Sequence, residues 1–466
     1  MPPPSRRELL RTSALGFGWL ALADLLAAAE PAPAPRTAGA LDPLAPRTPH
    51  FKPRAKRVIF LFMHGGPSQV DTFDYKPKLV ADDGKPLPFP KPRVVSSATG
   101  SLLKSPFAFK QHGQSGAWVS ELFPHVAGRA DDLCFIKSMH GSNSRHGGAL
   151  LELHTGSDTF VRPSIGSWIT YGLGTENRDL PGYVTICPTL THGGANNYSS
   201  AFLPAMYQAT PLGNSGTPSS QVTVPFVKGT TSPAQQRLEL DLLADLERQR
   251  MSASDAAVEG RIQSFEMAFR MQNAAPAVQD LSKETAETHK LYGIDDKATE
   301  NFGRQCLIAR RFAEAGVRFV QCTHSYKWDQ HDNLKRDHTN NAREVDKPIA
   351  GLLTDLKRRG MLKDTLVIWG GEFGRTPVAQ GKDGRDHNPH GFTMFLTGGG
   401  VKAGFSHGLT DDYGYFATED KVHIHDLHAT ILYLLGLDHE RLTYRHAGRD
   451  FRLTDVHGTV VEELLA

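Results

Sequence analysis

The sequence predicts an α/β fold, a mostly parallel sheet flanked by helices. Three observations predict it. Apolar runs of strand length recur along the chain, as strands buried on both faces require. Charged stretches with apolar residues at three-to-four spacing lie between them and read as helices. Glycine-rich segments dense in His, Asp and Glu follow the apolar runs directly, and open α/β sheets bind ligands just beyond the carboxyl ends of their strands.

The chain has 466 residues, enough for one large core or two smaller ones. Its 52 Lys and Arg nearly balance 50 Asp and Glu, and no basic block is sustained, so nucleic acid is not an expected partner. The 44 Gly and 30 Pro point to long loops, where sites are built. Cys134, Cys187, Cys306 and Cys322 form no C-x-x-C pair, which argues against a zinc knuckle; Cys134 and Cys322, in or beside apolar strand-like runs, read as buried free thiols, and the sequence leaves disulfides open.

Residues 1–29 read as a twin-arginine signal peptide. Arg6 and Arg7 precede a modest apolar stretch, Ser13–Ala29, that ends in small residues suited to cleavage. Asp24 interrupts this stretch, which is too short and polar to leave a stable membrane span after processing. The expected partner is the twin-arginine export machinery, and the expected location is periplasmic or extracellular. Residues 30–56 read as a Pro/Ala-rich linker, disordered over Glu30–Pro53, and residues 57–466 as the folded domain.

Val58–Met63 is the first buried strand, and its end runs into His64-Gly65-Gly66. His64 and Asp71 stand near the sheet's carboxyl edge; Asp74 either joins them or caps a turn. Leu133–Met139 is the next core strand. It leads through Ser142, Asn143, Ser144, Arg145 and His146 into a helix over Ala149–His154. Free backbone N–H groups and the helix dipole suit such a junction to an oxyanion or a nucleophile, although the hydroxyls also serve as caps. Tyr183–Cys187 is a further strand, and Gln235–Gln272 and Asp280–Ala315 read as helices.

Val317–Thr323 is a strand that leads to Asp329 and His331. Two residues apart on an extended segment, these can face one ion together. An amphipathic helix over Ala342–Arg359 returns the chain to the strand Thr365–Gly371. Between that strand and Phe392–Gly398 a loop holds Glu372, Arg375, Asp386, His387 and His390, a donor set that a divalent metal explains best. Asp426 is expected to cap a core helix over Ala429–Leu435.

The motifs HGGPSQVDTFDYKP, NSRHGGALLELHTG, WDQHDN, GGEFGRTP, GRDHNPHGFTMFLTGGGVKAG and HDLHATILYLLG together resemble one exported bacterial family. It is the domain of unknown function 1501, described as sulfatase-like, a branch of the alkaline phosphatase superfamily. The resemblance runs from about Arg57 to the C-terminus. It implies a doubly wound sheet with metal ions at the strand ends and hydrolysis of phosphate or sulfate esters. Asp329 and His331 resemble the superfamily's metal pair, at shorter spacing. Glu372 stands where the superfamily has an Asp, with Phe373 in place of a following ligand, and His387 or His390 resembles its late metal-binding His. Ser144-Arg145 matches the S-R of the sulfatase nucleophile element, but no Cys stands at the nucleophile position.

The resulting expectation is an exported hydrolase of sulfate or phosphate esters. His64, Asp71, Asp329, His331, Glu372, Asp386, His387 and His390 share the metal ligation. Ser142, Ser144 or water attacks, Arg145 and Arg375 hold the anion, and His146 protonates the leaving group. The mixed His/carboxylate set favours Zn²⁺ or Mn²⁺ over Ca²⁺, and the substrate is an anionic ester such as a sulfated glycan. The alternative is a non-catalytic glycan- or partner-binding protein on the same scaffold.

Overall fold

A computed structural model describes residues 44–90, 99–225, 231–250 and 256–466. The strands used below are β1 Arg57–Met63, β2 Thr99–Leu102, β3 Cys134–His140, β4 Tyr183–Ile186, β5 Thr210–Leu212 and β6 Phe319–His324. They continue with β7 Thr365–Gly370, β8 Gly374–Gln380, β9 Gly384–Asn388, β10 Phe392–Thr397, β11 Phe405–His407 and β12 Val422–His423. The helices are α1 His146–Thr155, α2 Ile165–Leu173, α3 Pro233–Arg250, α4 Ala256–Gln279, α5 Glu300–Glu314, α6 Leu334–Arg358 and α7 Ile424–Leu434.

Among the described residues nine strands form the main sheet, in the order β11-β3-β10-β7-β1-β6-β4-β5, with β12 also paired to β3. Every pairing is parallel except those of β10, which runs antiparallel to both β3 and β7. The centre is β1, with Val58 opposite Phe319 on one side and Arg57 opposite Thr365 on the other. Its residues from Val58 on are all buried, as VIFLFM predicts for a strand covered on both faces.

Helices cover both faces. On one, Phe60 and Phe62 of β1 meet the His154 ring of α1. On the other, Trp369 of β7 packs against Phe73, Phe123 and Phe395, and Phe123 stacks on Trp328, which meets His338 of α6. All four cysteines are buried and unbridged. Among the described residues no helix is long and apolar enough to cross a membrane.

Several elements differ from the sequence reading. The loop expected after β7 contains a hairpin: β8 pairs antiparallel with β9 and also with β2, so GRTPVAQ and GRDHN carry strand hydrogen bonds. The helix expected over Gln235–Gln272 is α3 and α4 instead. That over Asp280–Ala315 breaks after a short turn at Ala286–Leu291, near Gly293, whose φ of 68° few other residues adopt. Helix α6 begins at Leu334, eight residues before Ala342. His423, not Asp426, caps α7; Asp426 completes the box by accepting the His423 backbone N–H at 2.9 Å. The expected signal peptide, and the linker up to residue 43, lie outside the described residues. Residues 44–56 run along the domain: Leu44 is buried, and Arg47 and Ala55 donate backbone hydrogen bonds to Leu173 and Leu434.

Candidate metal centre

The centre forms where the parallel strands end. His64 follows β1, the Asp329 loop follows β6, Glu372 follows β7, and His146 opens α1 beyond β3. The β8–β9 hairpin folds back and brings His387 to the same place.

Asp329 Oδ1 is the focus. Within reach of this one oxygen lie His331 Nε2 at 3.0 Å, His387 Nε2 at 3.1 Å and His146 Nε2 at 3.3 Å. The opposite nitrogen of each ring is already engaged. His146 Nδ1–H donates to Glu372 Oε1 at 2.7 Å, His387 Nδ1–H donates to the Ser144 carbonyl at 2.7 Å, and His331 Nδ1–H donates to Gln380 Oε1. An imidazole held this way turns its Nε2 lone pair inward, as metal-ligating histidines do. His331 Nε2 and His387 Nε2 lie only 3.0 Å apart, so at most one proton fits between them. His146 Nε2 is buried and makes no well-directed hydrogen bond. Two overlapping triads, His146 with Asp329 and His387 and His331 with Asp386 and His387, each bring their donor atoms within 4.8 Å of one another, and such mixed imidazole/carboxylate sets fit a divalent cation. Asp386 stands beside His331 and His387, within 4.8 Å ligand to ligand.

Glu372 is 1 % exposed and does not join that group of donors. It receives the Gly65 N–H at 3.0 Å and the His146 ring, so the structure places it behind His146, holding that imidazole, rather than among the converging donors expected to include it. Burial raises its carboxyl, but the His146 hydrogen bond and the nearby His64 and His146 charges more than reverse this and hold it at about 2.

A second group of rings adjoins the first. His64 Nε2 lies 3.4 Å from His192 Nδ1, His146 stacks on His192 at 4.8 Å, and Tyr326 covers both His64 and His192 at 4.8 Å. Burial pushes the His64 ring down to about 4, opposed by Glu372 and helped by His146 and His192. The Tyr326 hydroxyl donates to Asp329 Oδ2 at 2.6 Å. His192 and Tyr326 carry no sequence signal for this site, and His146, expected as an acid, stands among the candidate ligands. His192 has φ 51° in a loop with no local motif, so nothing in its neighbourhood announces it.

Other expected site residues lie elsewhere. Asp71 is fully buried and paired with Arg385, at 2.7 Å and 3.2 Å, so its charge is neutralised away from the centre. Arg375 is also fully buried and donates to the carbonyls of Gly65, Gly66, Trp328 and Arg385 and to Asp329 Oδ1, which fixes the loop rather than facing a substrate. His390 packs its ring on Tyr415 and Phe416. Ser142 lines a separate cavity, with Oγ 3.2 Å from His423 Nε2. Ser144 reaches the centre through its carbonyl, and Arg145 is exposed at the N-cap of α1.

A family model described as a protein of unknown function, DUF1501, matches residues 55–465. No protein of curated function matches the sequence. Among solved structures, the lipoteichoic acid synthase LtaP from Listeria monocytogenes is similar at 9 % identity and a TM-score of 0.38, over 91 % of this chain and 81 % of that one. The PsFucS1 sulfatase from Pseudoalteromonas sp. is similar at 14 % identity and a TM-score of 0.35, over 82 % and 68 %. An alkaline phosphatase from the Antarctic bacterium TAB5 is similar at 11 % identity and a TM-score of 0.34, over 84 % and 99 %.

Proposed function

The chain belongs to the DUF1501 family of proteins of unknown function, and we propose that it is an exported, metal-dependent hydrolase of sulfate or phosphate monoesters. The observation that carries the reading is the convergence of three Nε2 atoms on one oxygen of Asp329 at the strand ends. His146, His331, His387 and Asp329 would hold the ion, and a set so rich in imidazole suits Zn²⁺ or Mn²⁺ better than Ca²⁺. When bound, the ion supplies Lewis acidity at the ester oxygen.

The chain's own groups do the rest. Glu372 keeps the His146 ring aligned through Nδ1. Arg145, exposed beside His146, meets the anionic oxygens, since a guanidinium matches a tetrahedral oxyanion by paired hydrogen bonds. His192, half-buried and outside the four donors, is the acid for the leaving oxygen; burial and the nearby His146 charge lower its pKa, which favours release of the proton. Ser142 lies in another cavity, and the attack is assigned to water rather than to the Ser144 hydroxyl, an assignment that Ser144→Ala tests. The export reading rests on Arg6, Arg7 and the apolar stretch after them, and a sulfated glycan is a substrate of the right chemistry.

The test is elemental mass spectrometry of the purified protein beside Asp329→Ala, then turnover of chromogenic sulfate and phosphate esters. Stoichiometric metal that the variant loses, with metal-dependent turnover that Ser144→Ala retains, is the expected result. Bound metal with no turnover on any ester moves the reading to a binding protein on the same scaffold. Folded wild type that takes up no metal overturns it.

A further inference from the structure

The loop from β3 to α1 has two sides. Ser144 turns its carbonyl to His387 at the metal centre. Ser142, two residues earlier and so within about 7 Å along the chain, lines a separate cavity of about 480 Å³ with His423, His425, Asp426, His457 and Thr459. His140 and His423 stand opposite each other where β3 and β12 end in parallel, so the cavity opens at the same edge of the sheet.

Its hydrogen bonding is incomplete. His425 is 8 % exposed, and its Nε2–H donates to the Gly156 carbonyl at 2.9 Å. A carbonyl only accepts, so in the neutral ring Nδ1 is an acceptor, and that buried atom has no partner. His423 is arranged the other way. Its Nδ1 accepts the His425 backbone N–H at 3.2 Å, so Nε2 carries the proton, 3.2 Å from Ser142 Oγ and 3.4 Å from Glu152 Oε1. The nitrogen that faces the Ser142 hydroxyl is a donor, so His423 does not activate Ser142 as a nucleophile. The Ser142 O–H is left to donate outward. Both Asp426 oxygens take backbone N–H groups, from His423 and Thr459, so the acid is satisfied and the cavity lacks the converging lone pairs of a metal site. The exposed His457 ring stacks on His425 at 5.1 Å and 14°.

The cavity thus offers an outward hydroxyl donor and a flat ring, with the unpartnered His425 Nδ1 buried beneath that ring. Sugar hydroxyls donate and accept at neighbouring positions, and a sugar's C–H face lies against a ring. We propose that this cavity is a saccharide subsite, which binds a neutral sugar ring adjoining the ester group. The inference rests on the hydrolase reading for its purpose, and on the cavity's own hydrogen bonds for its chemistry.

The test titrates the full chain with maltose, cellobiose, lactose and chitobiose by calorimetry, with metal content and ester turnover read on the same samples. At least one disaccharide should bind saturably, and Ser142→Ala and His457→Ala should each weaken it about fivefold to tenfold, the worth of one contact, with metal content unchanged. No saturable binding to any of these sugars by folded, metal-replete protein, or unaltered affinity in both variants, overturns the subsite and leaves the hydrolase reading standing. Sugar binding lost in the variants, in a wild type that holds no metal and turns over no ester, supports the subsite and overturns the hydrolase instead.

Discussion

At Glu372 one carboxylate holds two donors, the Gly65 N–H and the His146 ring, with its own carboxyl depressed to about 2 from an ordinary 4.5. Glu372→Gln keeps the shape and removes the charge that fixes the His146 tautomer. Metal affinity in a chelator competition should fall about 10- to 100-fold, the usual cost of losing an outer partner of a ligating histidine, while the protein stays folded. Unchanged affinity would remove Glu372 from the centre. The depressed carboxyl also sets an acid limit. It stabilises the fold only while ionised, so its contribution is complete above about pH 4.5 and disappears as the pH falls towards 2. Across that window the wild-type Tm should fall more steeply than that of Glu372→Gln; parallel curves would refute the assignment.

The turn after β1 and the β8–β9 hairpin show what single elements contribute. Gly65 has φ 118°, and a Cβ there would lie 2.6 Å from Asp329 N and 2.8 Å from Trp328 C. Gly65→Ala should therefore push the Asp329 loop outward, with metal loss and a stability cost of about 3 kcal/mol by denaturant titration. The hairpin supplies Arg385, which neutralises Asp71 inside the protein. Asp71→Asn breaks a buried pair and should cost about 3–5 kcal/mol while leaving metal stoichiometry intact. A variant that keeps its Tm and loses metal would restore Asp71 as a ligand. The two residues also mark the limit of legibility. That Asp329, His331 and His387 come together was legible because they follow apolar strands in polar, glycine-rich sequence. Asp71 shares that context, yet a single helical turn, Gln69–Thr72, aims it at an arginine on a hairpin that the sequence reading took for loop. Proximity along the chain names candidates, and the direction of a side chain decides among them.

Over the whole molecule, the sheet was legible because its strands are buried on both faces and so almost uniformly apolar. His192 was not, because only the tertiary arrangement brings its loop to His64. The N-terminal arginines carry the prediction at this scale. Changing Arg6 and Arg7 together to Lys should leave the chain in the cytoplasm on fractionation, and undiminished export would refute the twin-arginine reading. The position of β1 has a further consequence, for synthesis. The strand at the middle of the sheet is made first, but both its partners, β6 and β7, come from the last third of the chain. At the usual roughly 5–20 residues per second, VIFLFM leaves the ribosome tens of seconds before either neighbour exists. An unpaired, uncharged, β-prone hexapeptide is an aggregation hazard for as long as it waits. Nascent chains that stop short of Phe319 should accordingly bind chaperones or precipitate, and full-length chains should not.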